Sequence, residues 1–385
     1  MKLKKILSIV SILTGIGVFN CMGTDTPVAN DSDQTWPSKI ERSPEYKEGK
    51  FNDMGNTLDM SFTDYVSTTW EFIFTKNNRT PDTELPVKRV DLSHFNNKDS
   101  DQLNVTWLGH SSLMINIDGY KILTDPVFEK RVSVLGPTRF NGDVPLDIKQ
   151  IPKIDAVIIS HDHYDHLNKY SVKNLIEKTN KFVVPLKVGA RLEDWGVPRE
   201  KIVELDWWQE YTFDQKLMIA ATPAQHFSGR GITDRNKTLW ASWVIKSPLH
   251  NLFFSGDSGY FGGFQQIGEK YGPFDMTFIE CGAYGEGWPK VHMFPEQTVQ
   301  AHLDLKGNVL HPIHWGTFNL ALHPWYEPME RLTAAAKLKH LEIATPVVGE
   351  TTVYDMKIPT ASWWEHSMQL SGGLVETAAG VAYRK

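Results

Sequence analysis

Cysteine is nearly absent from this chain: Cys21 and Cys281 are the only two in 385 residues, which excludes a disulfide framework. Basic charge is not in excess. Lys plus Arg number 40 against 46 Asp plus Glu, a net charge of −6. That excludes a general phosphate-tracking surface and argues against a nucleic-acid scaffold, while a small local basic patch stays compatible. No internal repeat of 20–50 residues is present, so a repeat array is excluded. Glycine (28) and proline (21) are at ordinary usage, so there is no collagen-like or low-complexity body. With 41% hydrophobic and 22% charged residues, the chain is globular rather than disordered. Its length allows two or three domains or one large α/β domain, and a core of that size needs no staple.

Long apolar runs are also missing, except at the start. Lys2, Lys4 and Lys5 precede an uncharged run, 6–19, shorter than the roughly 20 apolar residues of a spanning helix. It reads as the h-region of a signal peptide, residues 1–20. Cys21 follows at once and resembles the cysteine of a bacterial lipobox, whose thiol is lipidated. Plain signal cleavage and an uncleaved anchor are the other readings. Residues 21–57 are rich in Asp, Asn, Ser, Thr, Pro and Lys and read as a flexible tether, with a loop wrapped on the domain as the alternative for part of it. The expectation is a lipoprotein of the bacterial cell envelope, anchored to the membrane with its domain outside the cytoplasm. Residues 58–385 form the domain. Leu58, Phe62, Tyr65, Val66, Trp70 and Ile73 lie near helical spacing, which suits a helix on the core or one that touches lipid or covers a groove.

From residue 103 the pattern is strand-rich. Period-2 alternation and short apolar runs predict strands at 104–108, 113–117, 121–124, 156–160, 181–184, 201–205, 213–222, 239–245, 251–254, 276–279 and 309–313. Helices are predicted at 170–179, 261–270, 295–305 and 328–340; Pro295 suits a first helical turn. Strands followed by β-α alternation, twice over, predict an α/β fold with two sheets face to face and helices outside both.

The chemistry concentrates in His161-Asp162-His163-Tyr164-Asp165-His166, which begins where strand 156–160 ends. In an extended segment positions 161, 163 and 165 project to one side, and His166 turns in from the next loop. With 14 His in 385 residues, chance yields such a pattern in on the order of one in a thousand chains. Imidazole plus carboxylate suits zinc, with iron and manganese compatible. Three later segments also run from a strand into a ligand type: 220–224 into His226, 252–254 into Asp257, and 309–313 into His314.

With these seven residues in that order, the sequence resembles the metallo-β-lactamase superfamily over residues 100–350. The resemblance implies a four-layer αβ/βα sandwich of two packed mixed sheets with outer helices, and two zinc ions per chain at one sheet edge. It implies that His161, His163 and His226 hold one ion, that Asp165, His166 and His314 hold the other, and that Asp257 bridges them. Further motifs resemble the branch of N-acyl-phosphatidylethanolamine-hydrolysing phospholipases D: Leu123-Thr124-Asp125-Pro126, Thr222-Pro223-Ala224-Gln225-His226, Leu239-Trp240-Ala241-Ser242-Trp243, Gly272-Pro273-Phe274-Asp275, Gly282-Ala283-Tyr284, Ile313-His314-Trp315-Gly316-Thr317-Phe318, and Glu327-Pro328 before Arg331-Leu332. The branch places a histidine three positions before a Pro-Glu pair, here His292, close to the substrate phosphate as acid or donor; Met293 and Phe294 depart from its usual Val-Asp. Tyr164 matches a residue that touches the lipid phosphate. The related sugar-phosphate lactonases share the hexapeptide.

The resemblance thus implies a zinc-dependent phosphodiesterase of phospholipase D type, with N-acyl-phosphatidylethanolamine or a similar phospholipid as substrate and phosphatidic acid and an N-acylethanolamine as products. Two zinc ions would lower the pKa of a shared water to about 7 or below, so that hydroxide can attack phosphorus. Asp165 and Asp257 would orient it, and His292 or a metal would relieve the leaving alkoxide. A lipid anchor suits a lipid substrate, because tethering raises local concentration. The rival enzyme reading is an envelope hydrolase of a soluble phosphate ester, lactone or β-lactam. A rival of another class is a metal-binding or interaction protein without turnover, against which seven intact ligands argue. Other residues divide more evenly. Arg230 suits a phosphate contact or a solvated surface. His110 is a ligand supporter or structural, and Asp125 orients a ligand or caps a turn. His311 faces away from His314, Asp162 is structural, and Cys281 is a small buried thiol rather than a nucleophile. Oligomeric state is open.

Overall fold

The computed structural model describes residues 40, 43–52, 70, 77–96, 101–134, 136–231 and 233–370. The signal segment, Cys21 and, Trp70 aside, the helix-spaced segment 58–74 lie outside the described residues. Within the stretch read as a tether, residues 43–52 are packed on the body. Strands β1 (Tyr46–Lys47) and β2 (Lys50–Phe51) form a hairpin. The Phe51 side chain is fully buried in the main core, and its N–H donates to the Asn236 carbonyl at 2.8 Å.

Two seven-stranded sheets carry the rest. In the first, β3 (Leu103–Trp107), β4 (Leu113–Ile117) and β5 (Tyr120–Thr124) run antiparallel, and β6 (Ile154–Ile158), β7 (Thr179–Pro185) and β8 (Ile202–Leu205) add in parallel. The second repeats this order: antiparallel β9 (Glu210–Phe213), β10 (Leu217–Thr222), β11 (Ser242–Lys246) and β12 (Asn251–Phe254), then parallel β13 (Phe274–Glu280), β14 (Gly307–Ile313) and β15 (Glu342–Ile343). Strand β16 (Thr351–Val353) returns to pair antiparallel with β3, so the C-terminal half closes the N-terminal sheet.

Side-chain alternation builds the layers. Ala156 and Ile158 of β6 point into the core between the sheets. Val157 and Ile159 point to the outer face, against Val172 and Leu175 of helix Lys169–Leu175 and Val188 and Leu192 of helix Val188–Asp194. A strand buried on both faces must read as a continuous apolar run. On the outer face of the second sheet lie helices Gly263–Lys270, Pro295–Asp304 and Glu327–Leu338, which bury Phe264, Val299 and Leu332. The layers are helix, sheet, sheet, helix, as the family resemblance implied. Among the described residues no helix is long and apolar enough to cross a membrane.

Three expected elements change. The strand expected over 213–222 is a hairpin, because Asp214 and Gln215 take left-handed φ of 47° and 59° and turn the chain back so that Phe213 faces Leu217. The helix expected over 170–179 stops at Leu175, because Thr179 begins β7 and pairs with Ile154. Helix Val188–Asp194, absent from the sequence reading, is a seven-residue element that starts from a left-handed Lys187.

The sheets meet closely at the edge where β6 and β12 end. Gly256 has φ +56°, and a Cβ there would lie 2.4 Å from Ser160 Cβ. Gly256→Ala is expected to destabilise the fold by about 1–3 kcal/mol; an unchanged urea midpoint would show that the two loops separate without cost.

Candidate metal centre

The carboxyl ends of β6, β10, β12 and β14 all reach this edge, as open α/β sheets place their sites. The hexapeptide follows β6, His226 follows β10, Asp257 follows β12 and His314 follows β14. Two sets of ligand atoms result. Nε2 of His161 and of His226 lie 2.8 and 3.3 Å from Nδ1 of His163. Asp165, His166 and His314 gather beside His110. Asp257 Oδ2 stands between the sets, 3.1 Å from Nε2 of His166 and of His314 and 3.8 Å from Nε2 of His161 and of His226. The seven residues named as ligands therefore converge.

The partners behind the ligands settle which nitrogen faces the centre. Carboxylates and carbonyls only accept. His166 Nδ1 donates to Asp125 Oδ2 at 2.7 Å, and His226 Nδ1 donates to the Val291 carbonyl at 2.9 Å. Ser160 Oγ donates to Asp125 Oδ2 at 2.5 Å and accepts from His161 Nδ1 at 2.9 Å. Each bond leaves Nε2 facing inward. His166 Nε2, His314 Nε2 and Asp257 Oδ1 are buried with no hydrogen-bond partner, as coordination of a metal requires. Five imidazoles and two carboxylates suit zinc, iron or manganese.

Electrostatics point the same way. Burial, joined by neighbouring imidazoles, holds His161 well below its ordinary value. Burial also holds His226 well below it and takes His163 to about 4, against the pull of nearby carboxylates. Burial would lower His166 and His314 too, but Asp257 and Asp165 outweigh it, so His166 is held well up and His314 rises to about 10. Burial would raise both carboxyls, and the facing imidazoles, His166 foremost, hold them well below the usual range. Bound metal ions would replace the protons this cluster holds.

Other residues find definite places. Asp125 orients His166 and, through Ser160, His161; it does more than cap a turn. His110 Nε2 donates to Asp165 Oδ2 at 3.1 Å. Asp162 accepts from Arg191 Nε and Gly229 N, at 2.9 and 2.7 Å, and is structural. Arg230 is half-buried and is not part of the cleft lining: Nη1 donates to the carbonyls of Asp162 and Leu167, both at 2.8 Å, and the guanidinium stacks 3.8 Å from the centroid of the Tyr164 ring. Tyr164, within the hexapeptide, is exposed and outside the cleft lining. His311 is buried near Trp107 and Phe278, away from the ligands. Burial pushes the Cys281 thiol well up, which makes it inert.

A cleft opens over the centre, with His292 on its wall. Phe227, Trp288 and Val291 form one apolar flank, and Ala283 and Leu320 another. His292 Nδ1 lies 3.1 Å from Oε1 of a fully buried Glu280, the last residue of β13. Sequence reasoning passed over Glu280, although an acidic residue ending a strand followed the pattern that marked the ligands.

Two outcomes test this arrangement. Asp125→Asn, which turns an amide toward His166, is expected to weaken metal affinity about 10–100-fold, read by competition with a chelating dye; unchanged affinity would remove Asp125 from the site. The second concerns pH. Burial takes His110 to about 3 and His163 to about 4 in the folded chain, against about 6.5 unfolded. The unfolded state then binds more protons, so stability falls as pH drops from about 6.5 to about 4. His314, raised to about 10, contributes stability fully below about 6.5 and loses it as pH rises through about 10. The chelator-treated chain should show a urea midpoint that declines on both sides of neutrality; a flat profile contradicts the cluster.

The sequence matches the family described as β-lactamase superfamily domain over residues 120–315. An uncharacterised protein of Mycobacterium tuberculosis is 42% identical over 351 residues, 88% of this chain and 92% of that one. The N-acyl-phosphatidylethanolamine-hydrolysing phospholipase D 1 of Caenorhabditis elegans is 32% identical over 288 residues, 70% of this chain and 80% of that one. Among solved structures, the metallo hydrolase Igni18 of the archaeon Ignicoccus hospitalis shares the fold, with a TM-score of 0.51 and 24% identity over 66% of this chain and 100% of that one. The chain therefore belongs to the β-lactamase superfamily, as a metal-dependent hydrolase of the metallo-β-lactamase fold.

Proposed function

We propose that this protein is a dinuclear zinc-dependent phosphodiesterase of phospholipase D type, which converts N-acyl-phosphatidylethanolamine or a similar phospholipid to phosphatidic acid and an N-acylethanolamine. The observation that carries the reading is the pair of ligand sets joined by Asp257 under a cleft with apolar flanks. The 32% identity with the nematode phospholipase D over 80% of its length supports the substrate class.

His161, His163 and His226 would hold one ion and Asp165, His166 and His314 the other, with Asp257 shared. Bound zinc supplies Lewis-acid charge for the phosphate oxygens and a water acidic enough to act near pH 7. The chain does the rest. Asp165 and Asp257 offset the metal charge, and their oxygens orient the attacking water. The apolar flanks suit the acyl part of a lipid and exclude solvent. His292 supports the leaving side: as the water oxygen bonds to phosphorus and the phosphorus–oxygen bond to the alcohol breaks, the departing oxygen takes a proton, His292 is the cleft residue offered to give it, and the proton shed by the water replaces the one given. Anchoring through Cys21 in the bacterial envelope belongs to the same reading and rests on the sequence of residues 1–21.

The test is to load the full chain with zinc and incubate it with vesicles that contain N-acyl-phosphatidylethanolamine. Phosphatidic acid and free N-acylethanolamine should appear by mass spectrometry, vanish on chelation, and fall more than about 100-fold in Asp257→Ala. Intact lipids beside rapid hydrolysis of a soluble phosphodiester, lactone or β-lactam would keep the metal centre and replace the substrate.

A further inference from the structure

Glu280 is a fully buried carboxylate whose ion-pair partner is His292. Oε1 accepts from Met293 N at 3.0 Å and from Ser258 N at 3.4 Å, and lies 3.1 Å from His292 Nδ1. Oε2 is buried without a hydrogen-bond partner. A carboxylate kept in such a place is costly, and an apolar side chain of similar volume would be the stable choice. Packing alone therefore does not explain it.

We propose that Glu280 is the positioning residue for His292. The hydrogen-bond accounting leads there. Met293 N–H and Ser258 N–H can only donate, so Oε1 is an acceptor and the shared proton belongs to His292 Nδ1. Nε2 is then the ring nitrogen left for the cleft, where, once the ring holds its second proton, it can give that proton to the departing oxygen. The same carboxylate grips the backbone of the next residue through Met293 N. The preceding residue is gripped from the other side, since the Val291 carbonyl accepts from His226 Nδ1. Residues 291–293 are thus held between a metal ligand and Glu280. The ring stands 5.1 Å from that of His226 and 5.3 Å from that of His314. A ring flip would turn Nδ1 toward the cleft and break the bond to Glu280.

The inference rests on the hydrolytic reading of the site but not on a lipid substrate. Its test compares Glu280→Gln, whose carbonyl still accepts from all three donors, with Glu280→Leu, which accepts from none. Turnover of N-acyl-phosphatidylethanolamine vesicles is measured, or of bis(p-nitrophenyl) phosphate if the vesicles are inert. Zinc content per chain and the ¹⁵N resonances of the His292 ring, assigned with His292→Ala, are read in parallel. Glu280→Leu should lower kcat about 10–100-fold with KM within about threefold, keep its zinc, and lose the protonated-Nδ1 signature. Glu280→Gln should restore kcat and signature together. Adding Glu280→Leu to His292→Ala should cost nothing further, because the carboxylate acts through that ring. The proposal is overturned if Glu280→Leu matches the wild type, if its loss tracks lost zinc, or if the double variant falls below His292→Ala. If the wild type turns over neither substrate, the functional reading fails, and the ring resonances still decide the role of Glu280.

Discussion

The Oδ2 atom of Asp257 lies within 3.8 Å of imidazole nitrogens from three other segments of the chain: His161 and His166 after β6, His226 after β10, and His314 after β14. A lone buried carboxylate is costly, and so is a crowd of buried imidazoles. Each offsets the other here, and the remaining lone pairs are left for metal. The contact needs four strands that end at one edge in two different sheets. Face-to-face packing with matched strand direction supplies that, and the close approach of Gly256 to Ser160 brings the two edges together.

Around that contact, precision comes from hydrogen bonds made one layer out. Asp125, at the end of β5, serves two ligands at once, and the Val291 carbonyl serves a third. His110 and His314 both hold left-handed backbone, φ 55° and 66°, and the His314 N–H donates to the His110 carbonyl at 3.2 Å. Backbone strain of this kind persists only where the surroundings over-determine it, and here the strained residues are one ligand, His314, and His110, which supports the ligand Asp165. Arg191 and Arg230 lock the hexapeptide loop through Asp162 and the backbone carbonyls. The loop thus holds its shape by structural cations, and the cleft keeps its polar atoms for chemistry.

Much of this was legible from residues alone. The hexapeptide is local, so its six positions announce themselves by spacing. His226, Asp257 and His314 were legible because each ends a strand whose apolar run is visible. Supporting residues were less so. Asp125 meets His166 across 41 positions and His226 meets Val291 across 65, and no pattern in a single chain encodes such a pairing. Arg230 shows the same limit: its place four residues after a ligand left a phosphate contact and a solvated surface both open, and only the fold shows Nη1 bonded to the carbonyls of Asp162 and Leu167. The hairpin at Asp214-Gln215 was missed because neither residue is glycine, so the left-handed turn left no mark.

Strand content, the order of the ligands and their donor chemistry were determined by the sequence itself, because side-chain alternation and ligand identity are local properties. Which nitrogen of each histidine faces inward, that β16 closes the first sheet, that residues 43–52 lie on the body, and that Glu280 reaches His292 were decided only by tertiary structure. Hydrogen bonds and close packing depend on distances of a few ångströms between segments far apart in the chain, and only the folded arrangement of the two sheets sets those distances.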